Sequence, residues 1–269
     1  MPAFFYGTAW KEERTRGLVA QALDAGFSAI DTANQRRHYF EAAVGQAIAP
    51  ALASGTRARS ELFLQSKFTH RAGQDQRLPY DEHAPLGIQV EQSFESSLEH
   101  LGVSFLDSYL LHGPSTRRGF APGDWQVWRA MEVLQQAGKT RLLGVSNVTI
   151  EQLRLLQREA EVKPAFVQNR CYARTGWDRE VREFATANGI AYQAFSLLTA
   201  NQRELEGPAI RHVAARTQRT AAQIVFRFAL EVGIIPLTGS SDPTHLREDL
   251  DCFDFELEAT EVTRIEQLA

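Results

Sequence analysis

Eight short apolar runs, each followed by a stretch whose apolar residues recur at helical spacing, constrain this chain more than any other feature. The runs are 4–9 (FFYGTA), 28–33 (SAIDTA), 62–67 (LFLQSK), 105–112 (FLDSYLLH), 140–146 (TRLLGVS), 165–169 (AFVQN), 190–196 (IAYQAFS) and 233–239 (GIIPLTG). Helical patterns occupy 12–25, 41–53, 88–102, 124–137, 149–159 and 178–188, then two pieces at 208–217 and 221–231, and finally 242–250. In the first, Leu18, Val19, Ala22 and Leu23 share one face, and Gly26 suits a helix end. Thr149 suits an N-cap. Strands that are apolar almost throughout are covered on both faces, as in parallel sheets. Alternating strands and helices imply a parallel sheet with helices outside it. Eight such units imply closure into a (β/α)8 TIM barrel of the α/β class. An open doubly wound sheet is the competing arrangement, but no GxGxxG follows the first run.

The 269 residues match the roughly 250 of one such barrel. No Ser/Gly-rich linker or shift of composition divides the chain, so 1–269 is expected to form one domain. With 43% hydrophobic and 23% charged residues it can fill a large core. The net charge of −4 offers no general attraction for nucleic acid or an anionic membrane. Cys171 and Cys252 lie far apart, with no CxxC and no Cys/His cluster. Neither a disulfide framework nor a metal site is expected, and a reducing cytoplasm fits. The start, MPAFFYGTAWKEER, becomes charged after a few apolar residues, unlike a signal peptide. No run approaches the roughly 18 apolar residues of a membrane span.

In an α/β barrel the working residues sit where strands end and the following loops begin. Polar residues at those ends are Thr8, Asp31, Lys67, His112, Ser146, Asn147, Gln168, Asn169, Ser196, Thr238 and Ser240. So many polar groups around one mouth would be costly if they served packing alone. Asp31 and Lys67 can stabilise each other's charged forms, and a lysine ammonium lowers the pKa of a neighbouring phenol. A tyrosine there can give a proton to a developing alkoxide, and a histidine can orient the same oxygen. Such a set polarises a carbonyl while a cofactor supplies hydride.

IDTA (30–33), LFLQSK (62–67), DSYLLHGP (107–114), LLGVSN (142–147) and FVQN (166–169) resemble successive strand motifs of the aldo-keto reductase family. So do QAFSLL (193–198), TAAQIVFRFAL (220–230) and IIPLTGSSDPTHLREDL (234–250), in order along nearly the whole chain. The resemblance implies a catalytic tetrad of Asp, Tyr, Lys and His. Asp31, Lys67 and His112 match it directly. The family tyrosine usually lies five residues after the aspartate, where Arg36 stands here. In DTANQRRHYFEAAVG the only tyrosine is Tyr39, while counting back from Val44 and Gly45 places His38 at the usual position. Tyr39 is taken as the proton donor, with His38 or water as the alternative.

The resemblance also implies a nicotinamide cofactor. Ser146, Asn147 and Gln168 match residues that bind the carboxamide, whose donors and acceptors they can meet. Phe195 matches the aromatic residue that stacks on the ring, with Ser196 and Leu198 beside it. Gly7, Thr8 and Trp10 lie where the first loop meets cofactor or substrate. Gly239, Ser240 and Ser241 lead into a helix whose N-terminus favours a phosphate. His245, Glu248 and Asp249 match positions near the adenosine. The lysine and arginine that many NADPH-dependent relatives carry in this region are absent. NADPH is the first expectation, with NADH as the second.

The expected substrate is a small carbonyl compound met by Trp10, Tyr39 and His112, and the protein is expected to be a monomer or weak homo-oligomer. Phe68, Tyr80, Trp125 and Trp177 are further candidates for pocket walls. Arg36, Arg37 and His38 would add positive charge at the mouth. Two competing functions remain at this point. One is a cofactor-binding regulatory subunit with little turnover; the other is a lyase using Lys67 as a Schiff-base nucleophile.

Overall fold

Odd and even positions along the strands face different surroundings, and this sets the barrel's layering. A computed structural model describes residues 1–268. Its strands are β1 (Phe5–Gly7), β2 (Ala29–Asp31), β3 (Phe63–Phe68), β4 (Leu106–Leu111), β5 (Thr140–Ser146), β6 (Phe166–Arg170), β7 (Ala191–Phe195) and β8 (Ile234–Thr238). Each pairs in parallel with the next, and β8 returns to β1 through Phe5↔Leu237 and Tyr6↔Thr238. The sheet is a closed barrel with no free edge. All eight apolar runs of the sequence fall on these strands.

The helices are α1 (Thr15–Ala25), α2 (Glu41–Ala53), α3 (Leu86–Leu101), α4 (Pro122–Gln136), α5 (Ile150–Glu159), α6 (Arg179–Ala187), α7 (Gln202–Leu205), α8 (Pro208–Thr217), α9 (Ala221–Glu231), α10 (Pro243–Leu250) and α11 (Ala259–Glu266). α1 buries Leu18, Val19, Ala22 and Leu23, and Gly26 closes it in the left-handed conformation at φ 117°. Thr149 caps α5 by accepting the Gln152 amide. The short α7 and the final α11 were not expected from the sequence. α11 is tied down by Ile265, whose carbonyl accepts the Trp177 indole N–H at 2.8 Å.

The main core lies between the barrel's outer face and the helices, with Tyr6, Ile30, Leu64, Val145, Val167 and Ala194 from the strands. α2 and α3 approach so closely that a Cβ on Gly45 would lie 1.9 Å from the His100 carbonyl oxygen. Inside the barrel, Phe5, Phe63 and Phe166 meet edge to face, with centroids 5.4 and 5.9 Å apart. Two residues further along β3 comes Gln65, then Lys67. Along β6 the same step leads from Phe166 to Gln168 and Arg170. An aromatic floor, an amide layer and a charged rim thus follow from the two-residue period of the strand.

Candidate active site

Lys67 is fully buried near the end of β3, and Asp31 ends β2 beside it. The Lys67 ammonium donates to both Asp31 carboxylate oxygens at 2.7 Å and to the Thr32 carbonyl at 2.9 Å. Asp31 Oδ1 also accepts from the amides of Gln65 (2.7 Å) and Gln168 (3.0 Å). Burial pushes the lysine pKa down, and the Asp31 charge opposes that shift.

The loop between β2 and α2 coils on itself. The Gln35 carbonyl accepts the His38 amide at 3.1 Å and the Tyr39 amide at 2.9 Å. This turn takes up the extra residues of the lengthened segment. It brings the Tyr39 ring to 5.3 Å from Lys67 Nζ and 5.8 Å from the His112 ring. The Tyr39 hydroxyl has no protein hydrogen-bond partner among the described residues, and Tyr39 lines a cavity of about 780 Å3 at the barrel mouth. His38 lines the same cavity in a different setting. Its ring stacks on Trp10 with centroids 3.9 Å apart, and its carbonyl accepts the Trp10 amide.

The Tyr39 phenol is pushed up, not down as the sequence suggested, first by burial and then by the Asp31 charge. In the resting site burial and the Asp31 charge outweigh the Lys67 ammonium 5.3 Å from the ring. The resting phenol therefore keeps its proton. His112 is pushed down to about 3 by burial, then by Lys67 and His38, so its imidazole is neutral near pH 7. Its Nδ1 lies 2.7 Å from the Thr69 hydroxyl. With the hydroxyl donating, the ring hydrogen sits on Nε2.

The cavity is also lined by Gly7, Trp10, Asp31, His112, Ser146, Asn147, Gln168, Phe195, Ser196, Leu198, Gly239, Ser240, His245, Glu248 and Asp249. The Asn147 amide donates to the His112 carbonyl (2.8 Å) and to Ser146 Oγ (3.1 Å). Ser146 in turn donates to the Gln168 carbonyl at 2.7 Å. These bonds consume donors, so the side-chain oxygens of Asn147 and Gln168 remain as acceptors at the cavity. A carboxamide N–H2 matches that pair, and the Phe195 ring gives a flat surface nearby. These residues fit a nicotinamide.

Two expected contacts lie elsewhere. Thr8 is fully buried and holds the Asp31 backbone carbonyl with both its amide and its hydroxyl, at 3.0 Å. Ser241 is exposed on the last loop, outside the cavity lining. The N-terminus of α10 also departs from expectation, because the Asp242 carboxylate already accepts the Thr244 and His245 amides. Burial raises Asp249 to about 6, and its carboxyl accepts the Thr238 hydroxyl at 2.7 Å.

Among the aromatic candidates for a pocket wall, only Trp10 reaches the cavity. Phe68 and Tyr80 are buried against each other, with the Tyr80 hydroxyl on the Thr69 carbonyl. Trp125 packs on Phe120, and Trp177 is buried beneath α11. Arg36 is paired with Glu12 and Glu13, so its charge is matched.

The model of the "Aldo/keto reductase family" matches residues 5–269. The chain belongs to the aldo-keto reductase family. An "Aldo-keto reductase" of Mycobacterium avium is 34% identical over 270 residues, covering 100% of this chain and 86% of that protein. The "Glyoxal reductase" of Bacillus subtilis is 32% identical, covering 100% and 89%. The crystal structure of an aldo/keto reductase from Brucella melitensis superposes with a TM-score of 0.82 at 29% identity, covering 100% and 95%. As an aldo-keto reductase the chain is an oxidoreductase that reduces carbonyl groups, and nothing in these likenesses favours a regulatory subunit. The Schiff-base alternative also fails on geometry, since Lys67 is buried behind Asp31 and lies outside the cavity lining.

Several residues of this aldo-keto reductase site escaped the sequence. Lys11 is buried, and its Nζ reaches the Gly239 carbonyl at 2.5 Å, across the whole length of the chain. Burial, reinforced by Arg14, pushes it down to about 8. It brings a cation to the last loop, where the sequence showed no basic residue at the usual positions. Arg170 lines the cavity 5.9 Å from the Phe195 ring and has no carboxylate partner among the described residues. Its place two residues after Gln168 was a usable signal. Gln65 and Gln193 lie deeper, and only the closed barrel brings them together. No helix among the described residues is long and apolar enough to cross a membrane.

Proposed function

We propose that this enzyme reduces an aldehyde or ketone with NADPH, that Tyr39 donates the proton, and that residues 1–269 work as one cytoplasmic domain. The observation that carries this reading is the meeting of Tyr39 and His112 at one end of a cavity whose walls run past Phe195 to Glu248, with the buried Lys67 ammonium 5.3 Å behind the Tyr39 ring. NADPH, when bound, supplies the hydride. Asn147 and Gln168 accept from its carboxamide, and Phe195 supports the ring. Lys11 and the Ser240 hydroxyl meet its phosphates. His112 donates from Nε2 to the substrate oxygen and fixes its direction. As negative charge grows on that oxygen, the Tyr39 hydroxyl gives up its proton, and the buried Lys67 stabilises the phenolate left behind. His38 lines the same cavity, but its ring is stacked on Trp10, whereas the Tyr39 ring lies beside both Lys67 and His112, which favours Tyr39 as the donor.

Steady-state rates with NADPH and NADH over an aldehyde panel that includes glyoxal test this reading. Tyr39→Phe should lower kcat by about 100-fold or more, the usual worth of a positioned acid, and leave the Kd for NADPH unchanged. Full activity in that variant would show that another group supplies the proton.

A further inference from the structure

The interior of a TIM barrel is ordinarily filled with branched apolar side chains. Here two glutamines, Gln65 and Gln193, occupy it with no exposure to solvent, and Gln168 is almost as deeply buried. Buried amides are costly unless their hydrogen bonds are made. These are made in a pattern that leaves no freedom.

The pattern starts from Asp31. Its carboxylate, paired with Lys67, can only accept. The groups of Gln65 and Gln168 that face Asp31 Oδ1 at 2.7 and 3.0 Å must therefore be their amino ends. Each amino group has a second hydrogen, and both point to one atom, Gln193 Oε1, at 2.9 Å. Gln193 uses its own amino group to donate to Gln65 Oε1 at 3.1 Å. Turning the Gln168 amide by half a turn would remove two hydrogen bonds and set its oxygen against two other oxygens. Its carbonyl oxygen is thereby directed away from the network, and it accepts no protein hydrogen bond among the described residues.

We propose that Gln193 and Gln65 are positioning residues that lock the Gln168 amide with its carbonyl toward the cavity, so that the site selects a cofactor ring bearing an N–H2 donor. The lock carries the orientation set by the Lys67–Asp31 pair through to the cofactor pocket. Proton-donor machinery and cofactor recognition thus share one hydrogen-bonded unit. The proposal rests on the reading of Gln168 as a nicotinamide contact.

The readout is a ratio, the Kd of the 3-acetylpyridine analogue of NADPH divided by that of NADPH, measured by quenching of tryptophan fluorescence. The analogue carries a methyl group in place of the amide N–H2, so the ratio isolates the donor and cancels general losses of affinity. In Gln193→Leu the ratio should fall by about two- to ten-fold, the span of one neutral hydrogen bond. Gln193→Leu strands Gln65 Oε1 without a donor, so the double variant Gln65→Leu/Gln193→Leu removes both partners and guards against misfolding. It should show the same fall with an unchanged far-UV spectrum. Gln168→Leu should lower the ratio at least as far, leaving only the share held by Asn147. An unchanged ratio in the folded double variant, with the ratio lowered in Gln168→Leu, overturns the lock alone. An unchanged ratio in Gln168→Leu overturns the assignment of Gln168, and the proposal with it.

Discussion

The Asp31–Lys67 pair should reveal itself through opposite pH dependences of its two single variants. Both side chains are essentially out of water, at 4% and 0% exposure. Removing one partner of such a pair costs about 3–5 kcal/mol, because it leaves an uncompensated buried charge. Lys67→Met should sit near the lower end, about 3 kcal/mol, since Gln65 and Gln168 still donate to Asp31. In Asp31→Asn the buried lysine keeps only neutral acceptors, the Thr32 carbonyl and one amide oxygen, and sheds its proton at neutral pH, while the unfolded chain keeps it. The unfolded state then binds more protons, so stability rises with pH by about 1.4 kcal/mol per unit, or about 2.7 kcal/mol from pH 7 to 9. In Lys67→Met the folded carboxyl holds its proton to higher pH than the unfolded one. There the folded state binds more protons, and stability falls as pH rises from 5 toward 7. The double variant buries neither charge and should be less destabilised than the sum of the singles by up to about 3 kcal/mol. Urea unfolding at pH 5, 7 and 9, followed by circular dichroism with a constant m-value, measures all of this. Slopes of the same sign in the two singles, or strict additivity, would refute a buried charge pair as the organiser of the site.

Lys11, with its pKa near 8, should regain its charge beside a bound phosphate, so NADPH binding takes up a proton above pH 8. The Kd should rise from pH 7 to 9, and calorimetry on Lys11→Met should find weaker binding with that pH dependence gone. Gly45→Ala should cost at least about 3 kcal/mol in urea unfolding, because α2 and α3 must separate to admit a methyl group 1.9 Å from a carbonyl oxygen. Gly17→Ala, exposed in α1 with nothing within 4 Å of the new Cβ, should stabilise by up to about 1 kcal/mol and serves as its control.

What the sequence discloses about this protein follows from the geometry of a barrel. Strand ends converge on one rim, so Asp31, Lys67 and His112 could be assigned to one site from their places at the ends of apolar runs. Tyr39 could not be placed that way. It depends on how a loop turns, and the coil around the Gln35 carbonyl that delivers it has no signature in DTANQRRHYF. Lys11 and Gly239 meet only because β8 closes on β1, a contact that no local pattern encodes. α11 shows few apolar residues, chiefly Val262 and Ile265, too short a stripe to announce a helix. Other misplacements had a remedy in the sequence itself. Side chains alternate along a strand, so Lys67 facing inward requires Phe68 to face the helices, which removes it from any pocket wall. The same rule, applied backward from Lys67 and Gln168, would have put Gln65 inside the barrel and Arg170 at its rim. Strand period carries more information about a barrel's interior than residue chemistry does, because chemistry names what a side chain can do and the period decides what it can reach.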